Sequence, residues 1–205
     1  MPVIRLGKLA RPLAVLGAVA ACSRTPEPAP RPAASGPVAT TPTPKPAAAT
    51  DATGITWKDP AAWQRIAPTG PMRKASWRVP RSKGDSDDAD LALFYFGPKE
   101  GGSVSANVER WVSQFSDRTP KDPTPTRREI NGMSVHVVEI EAGTYSGGMP
   151  GASSAPSAPK PGWALLGAVV EAPSGKYFWK LVGPRESVKS AKPAFGELLD
   201  SVAAK

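Results

Sequence analysis

Residues 164–182, ALLGAVVEAPSGKYFWKLV, contain two apolar runs separated by the turn residues Pro173, Ser174 and Gly175. Short apolar runs that end at proline or glycine, and that are rich in valine and aromatic residues, are typical of buried β-strands. We therefore predict strands at 164–171 and 176–182, joined by a tight turn.

Three further stretches carry strand patterns. Residues 73–79 alternate between apolar and polar side chains, which is typical of a half-buried strand. Residues 91–96 are apolar on both faces, which predicts a central strand covered from each side. Asn131-Gly132 is the best short hairpin signal in the chain and predicts strands at 126–130 and from residue 133 to about residue 141.

Two segments show helical spacing instead. Apolar residues recur through 103–115, with Ser103 as a plausible N-cap. The four apolar residues between Phe195 and Val202 lie at positions i, i+3, i+4 and i+7, which predicts a terminal helix that closes one face of the sheet. The order of elements predicts an α+β fold, with a mainly antiparallel sheet of about six strands and helices packed on its faces.

Two other segments interrupt this pattern. Trp57 and Trp63 flank Asp59-Pro60, and we expect a short helix or turn there, laid against the sheet. Residues 146–162 are rich in Gly, Ser, Pro and Ala and predict a flexible surface insertion. Residues 51–205 have a suitable length for one domain with a modest core.

Several short motifs of this domain are similar to those of an uncharacterised group of bacterial envelope proteins. They are Phe94-Tyr95-Phe96-Gly97, Gly101-Gly102-Ser103, Asn107-Val108-Glu109-Arg110-Trp111, Gly143-Thr144-Tyr145 and Tyr177-Phe178-Trp179-Lys180. The domain resembles the PsbP-like fold, which is shared with the DcrB-like lipoproteins and the Mog-type Ran-binding proteins. The resemblance implies a small binding or assembly-assisting protein without a catalytic signature, and it identifies no ligand.

The N-terminal region has the three-part layout of an export signal. Residues 1–11 are basic without an acid, 13–21 are wholly apolar, and small residues precede Cys22. The apolar run is shorter than the roughly 20 residues of a membrane-spanning helix, so we expect cleavage after residue 21. Cys22 resembles the lipidated cysteine of a bacterial lipobox, whose acyl chains would anchor the protein to a membrane. The alternative is an ordinary secretory signal followed by a chance cysteine.

Residues 22–50 are rich in Pro, Ala and Thr and contain no aromatic residue. This composition cannot bury a core and favours extended conformations, so it predicts a disordered tether; a ligand for a proline-recognising domain is the alternative. Ser23 stands where Asp is the inner-membrane retention mark of well-studied Gram-negative lipoproteins. We therefore expect a periplasm-facing envelope lipoprotein, with the outer membrane preferred over the inner.

The formal net charge of +8 belongs largely to these N-terminal segments. Residues 51–205 contain 20 Lys and Arg against 17 Asp and Glu. Because this balance leaves little excess positive charge, it predicts no domain face for nucleic acid.

Few residues are suited to catalysis. Cys22 is assigned to lipid, and His136 is the only histidine, on a predicted strand without an evident partner. Ser157 and Lys160 match Ser-x-x-Lys, but that motif needs a helix, which the neighbouring prolines prevent. We therefore predict no catalytic residue and no enzyme activity.

Two loops carry weaker ligand patterns. The loop 81–90 contains four aspartates, but their spacing does not fit the calcium loop, so a solvated acidic loop is preferred. The glycines at 97, 101 and 102 precede a helix and could bind an anion near Lys99 and Arg110, although a tight turn is preferred. We therefore predict neither a metal nor a cofactor.

The aromatic residues exceed what a small core requires, and an exposed group of them would bind a partner. We select Trp163, Trp111 and Tyr145 as the candidate partner-binding surface. The preferred function is a protein-interaction or assembly module; the alternatives are a small-ligand-binding protein and, least favoured, a hydrolase with an unrecognised site. An exposed aromatic patch would favour the first, an apolar cavity between helix and sheet the second, and a cleft joining His136 to a carboxylate the third.

Overall fold

The computed structural model describes residues 54–147 and 158–205. The predicted signal peptide, Cys22 and the tether lie outside the described residues, as do Ser157 and most of the predicted insertion. Within the described ranges, no helix has the length and apolar character needed to cross a membrane.

The described residues form a large antiparallel sheet with helices on its faces. Eight strands form the main sheet in the order β2-β3-β4-β9-β8-β7-β5, with β6 also paired to β7, and β1 pairs separately with β10. The elements are β1 (Ile55–Thr56), β2 (Gln64–Ile66), β3 (Arg73–Val79), β4 (Ala89–Tyr95), α1 (Val104–Val112), β5 (Phe115–Thr119), β6 (Thr126–Ile130), β7 (Met133–Tyr145), β8 (Lys160–Ala172), β9 (Gly175–Pro184), α2 (Arg185–Asp200) and β10 (Ala203–Ala204).

The predicted α+β class with a mainly antiparallel sheet is confirmed, but the number of strands is not, because the sheet has eight strands. The turn expected near Asp59-Pro60 is present, since the Trp63 N–H donates to the Pro60 carbonyl at 3.0 Å, but the strands β2 and β5 were not predicted. Both lie at the margin of the sheet and pair on one side only. A strand of this kind needs no apolar alternation, so its sequence carries little signal.

β8 and β9 form the predicted hairpin, with Ala172 opposite Gly175. β8 nevertheless begins at Lys160, so the predicted insertion, which extended to residue 162, was too long. Lys160 pairs with Tyr145 at the end of β7. Residues 160–162 are therefore held in the strand by backbone pairing, although their composition is that of a loop.

The Asn131-Gly132 hairpin is also confirmed. Ile130 pairs with Met133, and the two turn residues have φ values of 49° and 75°. Positive φ at both central residues is the requirement of a type I′ turn, which explains the Asn-Gly pair. β7 then continues to Tyr145 and pairs with β6 along its first half and with β5 at its end.

The sheet separates two hydrophobic cores. One lies under α2 and contains Leu91, Trp179 and Phe195, while the other lies under α1 and contains Val108 and Phe178. Because successive residues of β4 and β9 point to opposite faces, both strands are apolar on both sides. The predicted central strand at 91–96 is thus confirmed as β4, although the strand begins at Ala89 and ends at Tyr95.

α1 lies close to the sheet at Gly167. A Cβ atom at this position would lie 2.5 Å from Cζ3 of Trp111 and 3.0 Å from Cγ1 of Val138. Ser103 is the N-cap, as predicted, and its Oγ accepts a hydrogen bond from the Ala106 N–H at 3.1 Å. The helix ends at Val112, so Phe115, which was predicted in the last helical turn, instead begins β5.

α2 begins at Arg185, well before the predicted apolar stripe, and ends before Val202. Its N-cap residue, Pro184, makes no side-chain capping hydrogen bond. Asp85 in the β3–β4 loop supplies the cap instead, since its Oδ2 accepts from the Ser187 N–H at 2.8 Å and from the Ser187 hydroxyl at 2.5 Å. A carboxylate at a helix N-terminus also interacts favourably with the helix dipole.

Candidate binding groove

A groove lies between α1 and the strands β3, β4 and β9. Its larger part has a volume of about 300 Å³ and its smaller part about 60 Å³, and the two parts share Phe94, Gln114 and Lys180. We call this feature the α1 groove. The larger part is also lined by Thr69, Arg73, Asp90, Ala92, Tyr145 and Val182, and the smaller part by Phe96, Asn107, Arg110, Trp111 and Phe178.

The register of the strands determines which side chains form the floor of the α1 groove. Ala92 pairs with Lys180, and Phe94 pairs with Phe178. Alternation puts these four side chains on the face that α1 covers. Arg73 enters from β3 opposite Phe94, at an irregularity in the pairing. Since Ala92 contributes only a methyl group, it leaves space between the basic and aromatic side chains around it.

Lys180 is the central polar group of the floor. Its Nζ donates to Oε1 of Gln114 at 2.5 Å and to the hydroxyl of Tyr145 at 3.3 Å. Burial lowers the pKa of the Lys180 ammonium from 10.5 to about 8; the nearby Asp90 carboxylate opposes this change, and the Arg73 guanidinium adds to it. The Lys180 ammonium is therefore still protonated at neutral pH. Its surroundings do not fully offset the cost of burying its positive charge.

Arg73 is held at the opposite side of the larger part. Its Nη2 lies 3.3 Å from Oδ2 of Asp90, and its Nη1 donates to the Ser76 hydroxyl at 3.4 Å. The guanidinium carbon lies 5.4 Å from the centre of the Phe94 ring, within cation–π range. Arg73 is thus oriented by three neighbours, which fixes a planar set of donors beside the groove.

The smaller part of the groove is aromatic. The Phe96 and Phe178 rings meet edge-on with their centres 5.5 Å apart, and Phe94 stacks on Phe96 at 6.4 Å. Asn107 anchors the adjoining loop by donating to the Gly101 carbonyl at 2.6 Å, and its side-chain oxygen accepts from Arg110 Nη1 at 2.9 Å. An apolar surface and a positioned guanidinium therefore lie side by side.

Two of the three residues selected for a partner surface lie together. The rings of Tyr145 and Trp163 stack with their centres 5.5 Å apart, and Lys160 Nζ lies 4.1 Å from the centre of the Trp163 ring. Both rings are partly buried, and burial raises the pKa of the Tyr145 hydroxyl. Tyr145 also lines the larger part of the α1 groove, where its hydroxyl accepts a hydrogen bond from Lys180 Nζ.

The third residue, Trp111, does not belong to an exposed surface. Its side chain is buried under α1 against Gly167, with 6% of the residue accessible. Its helical position predicts this outcome, because it shares the inward face of α1 with Val108. Among the residues that the structure describes, Met72 is the one large hydrophobic residue that is exposed.

The four aspartates of the loop 81–90 have separate structural roles rather than a common ligand. Asp85 caps α2, Asp88 accepts from the Arg81 N–H at 3.0 Å, and Asp90 pairs with Arg73. Asp87 accepts from the Ser86 hydroxyl at 3.1 Å. In residues 54–147 and 158–205, no cluster of three His, Cys, Asp or Glu side chains is placed to hold a metal.

The glycine loop before α1 is a tight turn, the preferred alternative. Gly97, Gly101 and Gly102 all have positive φ values, which glycine adopts readily. At Gly101, a Cβ would also lie 2.6 Å from the Phe178 ring. The loop therefore packs closely against Phe178, one of the rings that line the smaller part of the α1 groove.

His136 does have a carboxylate partner. Its Nε2 lies 3.0 Å from Oε2 of Glu171 on the neighbouring strand β8. Ser134, on the same face of β7, accepts a hydrogen bond from Arg127 at 2.7 Å. His136 and Glu171 thus form a cross-strand pair, and the α1 groove is built from other residues.

A second cavity of about 330 Å³ lies beside α2, lined by Glu139, Glu141, Arg185, Lys189 and Lys192 among others. Lys192 Nζ lies 2.5 Å from Oε2 of Glu139 across its opening. The basic and acidic side chains that line this second cavity nearly balance in charge, and its polar groups lie largely at the surface. The α1 groove differs because its described lining has three cations against one carboxylate and because these cations stand beside aromatic rings.

Lys180, Arg73 and Asp90 were not predicted from the sequence as binding residues, although Arg110 was named with the glycine loop. One signal was present: Lys180 is a single charged residue inside the apolar run 177–182. A lysine placed among buried strand positions requires a polar partner or a ligand. The groups around Lys180 lie on separate elements of the chain, so they could be identified only once the fold was known.

Comparison with known proteins identifies no family. No family model matches the chain, and no curated protein matches it. The α1 groove therefore has to be interpreted from its own geometry.

Proposed function

We propose that this protein is a lipid-anchored, non-enzymatic binding protein of the cell envelope that holds a small ligand in the α1 groove. The observation that carries the proposal is the cavity of about 300 Å³ on the face of the sheet that α1 partly covers, with Lys180 on its floor and aromatic rings beside it. Concave sites with apolar walls and a few convergent polar groups are typical of small-ligand binding.

The location follows from the N-terminal sequence. Cys22 would carry the lipid, residues 22–50 would form the tether, and the domain would face the periplasm, with the outer membrane preferred over the inner. The PsbP-like resemblance is compatible with a binding role, and we keep it as part of the proposal. Nucleic acid is not a proposed partner, because the domain carries little net charge.

The test of this function is mass spectrometry of small molecules retained by the full-length, lipidated protein purified from its native membranes. We expect the wild type to retain a compound that Ala92→Met loses, because the longer side chain occupies the larger part of the groove. Ala106→Met, at an exposed position of α1, is the matched control and should retain the compound.

Thr69→Trp provides a second way to block the groove without changing the core, because Thr69 is exposed and lines the larger part. Circular dichroism of each variant establishes that the fold is intact. Identical retained compounds in the wild type and in both folded groove variants would contradict ligand binding at this site.

A protein-interaction or assembly module is the second candidate. The partly exposed stack of Tyr145 and Trp163, covered by Lys160, favours it, because tyrosine and tryptophan are common at binding hot spots. Crosslinking in living cells tests this alternative. A partner captured by the wild type and by Ala92→Met, but not by Trp163→Ala or by the unanchored Cys22→Ser, would support the interaction module over the ligand-binding function.

A further inference from the structure

The α1 groove carries an excess of positive charge. Three of its lining residues are cationic, namely Arg73, Arg110 and Lys180, and one, Asp90, is acidic. The excess is local, because the domain as a whole is nearly balanced. A cleft with apolar walls concentrates the field of such charges and attracts anions.

Among the described residues that line the groove, the single carboxylate is already engaged. Asp90 Oδ2 lies 3.3 Å from Arg73 Nη2, while Lys180 Nζ donates to the neutral oxygens of Gln114 and Tyr145. An ammonium group has three N–H donors, and two are directed to these oxygens. A partly buried cation with neutral partners is a favourable site for an anion, because the anion supplies both a hydrogen-bond acceptor and the opposite charge.

The residues around the cations limit the size and polarity of the rest of the ligand. Lys180 and Phe94 line both parts of the groove, so a group bound at Lys180 has the rings of Phe94, Phe96 and Phe178 beside it. The total space, about 300 Å³ and about 60 Å³, is at the lower end of ligand-site volumes. A small planar or branched apolar group fits this space better than an acyl chain.

Resting on the ligand-binding function proposed above, we propose that the ligand is a small molecule with an anionic carboxylate or phosphate head, held by Lys180 and Arg73, and an apolar body against Phe94, Phe96 and Phe178. Lys180 supplies a single point charge from the floor, and Arg73 supplies a planar pair of donors from the side. Arg110 guides anions toward the aromatic end of the groove.

The test is a titration of the full-length Cys22→Ser protein with benzoate, phenyl phosphate and benzamide, followed by NMR of the backbone amides of Ala92, Phe94 and Lys180. Benzoate and benzamide have nearly the same shape and differ in charge. We expect at least one of the two anions to bind about ten-fold or more tightly than benzamide, since a hydrogen bond to a charged group contributes more than a neutral one. The stronger of the two anions identifies whether the head is a carboxylate or a phosphate.

Lys180→Met retains the length of the side chain and removes its charge. We expect this change to weaken anion binding about ten-fold or more and to leave benzamide binding unchanged. Lys176→Met is the matched control, because Lys176 is a partly buried lysine on the same strand and the same face, outside the groove. It should bind all three compounds as the wild type does.

The pH dependence supplies a readout that a purely structural role of Lys180 would not change. The charged and titratable groups around Lys180 are Arg73 on β3, Asp90 on β4, Tyr145 on β7 and Arg110 on α1. Burial lowers the pKa of Lys180 to about 8 and raises that of Tyr145, so Lys180 loses its proton first. Benzoate affinity should fall as the pH rises from about 7 to about 9 in the wild type and stay level in Lys180→Met.

Equal affinities for benzoate, phenyl phosphate and benzamide would overturn the anionic head but leave ligand binding intact. If none of the three compounds changed the chemical shifts of Ala92, Phe94 and Lys180, the proposed anionic head would also be overturned. Failure of the proposed function itself is a different result, namely a native protein that retains the same compounds whether or not the groove is blocked by Ala92→Met and Thr69→Trp.

Discussion

Gly167→Ala is the substitution that most directly tests how the α1 groove is built. The new Cβ would lie 2.5 Å from Cζ3 and 2.6 Å from Cε3 of Trp111, closer than carbon atoms approach without a shift. Because both ring atoms belong to a buried, rigid side chain, either α1 or the ring has to move away from β8. Gln114, which follows α1 and lines the groove with Trp111, would move with it.

The expected magnitude follows from two opposing effects. Overpacking a close-packed core costs about 1–3 kcal/mol. Replacing glycine in a strand by alanine recovers about 0.5–1 kcal/mol, because the unfolded chain has less conformational freedom to lose. We expect Gly167→Ala to lower the free energy of unfolding by about 1–2 kcal/mol, measured by urea denaturation of the full-length Cys22→Ser protein.

A double-mutant cycle isolates the contact. In a Trp111→Leu background the ring is absent, so Gly167→Ala should become neutral or slightly stabilising, with a coupling energy of about 1 kcal/mol or more. Gly196→Ala is the matched control, since nothing lies within 4 Å of its Cβ position in α2, and it should stabilise the protein by about 0.5–1 kcal/mol. The same cost of Gly167→Ala in both backgrounds would refute the role assigned to the glycine.

Three further predictions concern the cap, the groove and the anchor. Asp85→Ala removes the cap of α2 and should lower the free energy of unfolding by about 1 kcal/mol, whereas Asp87→Ala should change it little; urea denaturation measures both. Lys180→Met should raise the free energy of unfolding by about 1–3 kcal/mol near pH 7, because it removes a buried charge. The pKa of Lys180 is about 8 in the folded protein and 10.5 ordinarily. Between these pH values the folded protein binds fewer protons than the unfolded chain, so the wild type becomes more stable as the pH rises. The stability gained by Lys180→Met should therefore diminish from about pH 8 to pH 10.5. Cys22→Ser should move the protein from the membrane fraction to the soluble fraction, measured by immunoblotting of separated fractions, and an unchanged distribution would contradict lipid anchoring.

Strands that bury a face were predictable from the sequence. Residues 73–79 alternate because one face of β3 contributes Trp77 and Val79 to a core, and the Asn-Gly turn specifies the following hairpin through its φ values. β2 and β5 were missed because edge strands satisfy their backbone by pairing without an apolar pattern. Lys160 was assigned to a loop because composition cannot indicate that β7 extends far enough to pair with it.

The groove was less predictable for a different reason. Lys180, Arg73 and Asp90 are separated along the chain and become neighbours only through the register of β3, β4 and β9. Asp85 illustrates the same limit, because its contact with Ser187 spans about half of the chain and turns an apparently solvated acidic loop into a helix cap. Local patterns predict elements, whereas these contacts depend on which strands become neighbours.

The most direct test of the central claim, that the α1 groove binds an anion at Lys180, is NMR titration of the lysine side chains with pH, with and without saturating benzoate or phenyl phosphate. The Lys180 signal is identified by its absence in Lys180→Met. We predict a pKa of about 8 for the free protein and a clear increase with the anion bound, because the anion stabilises the protonated form. A Lys180 pKa that is the same with and without the anion would contradict the account.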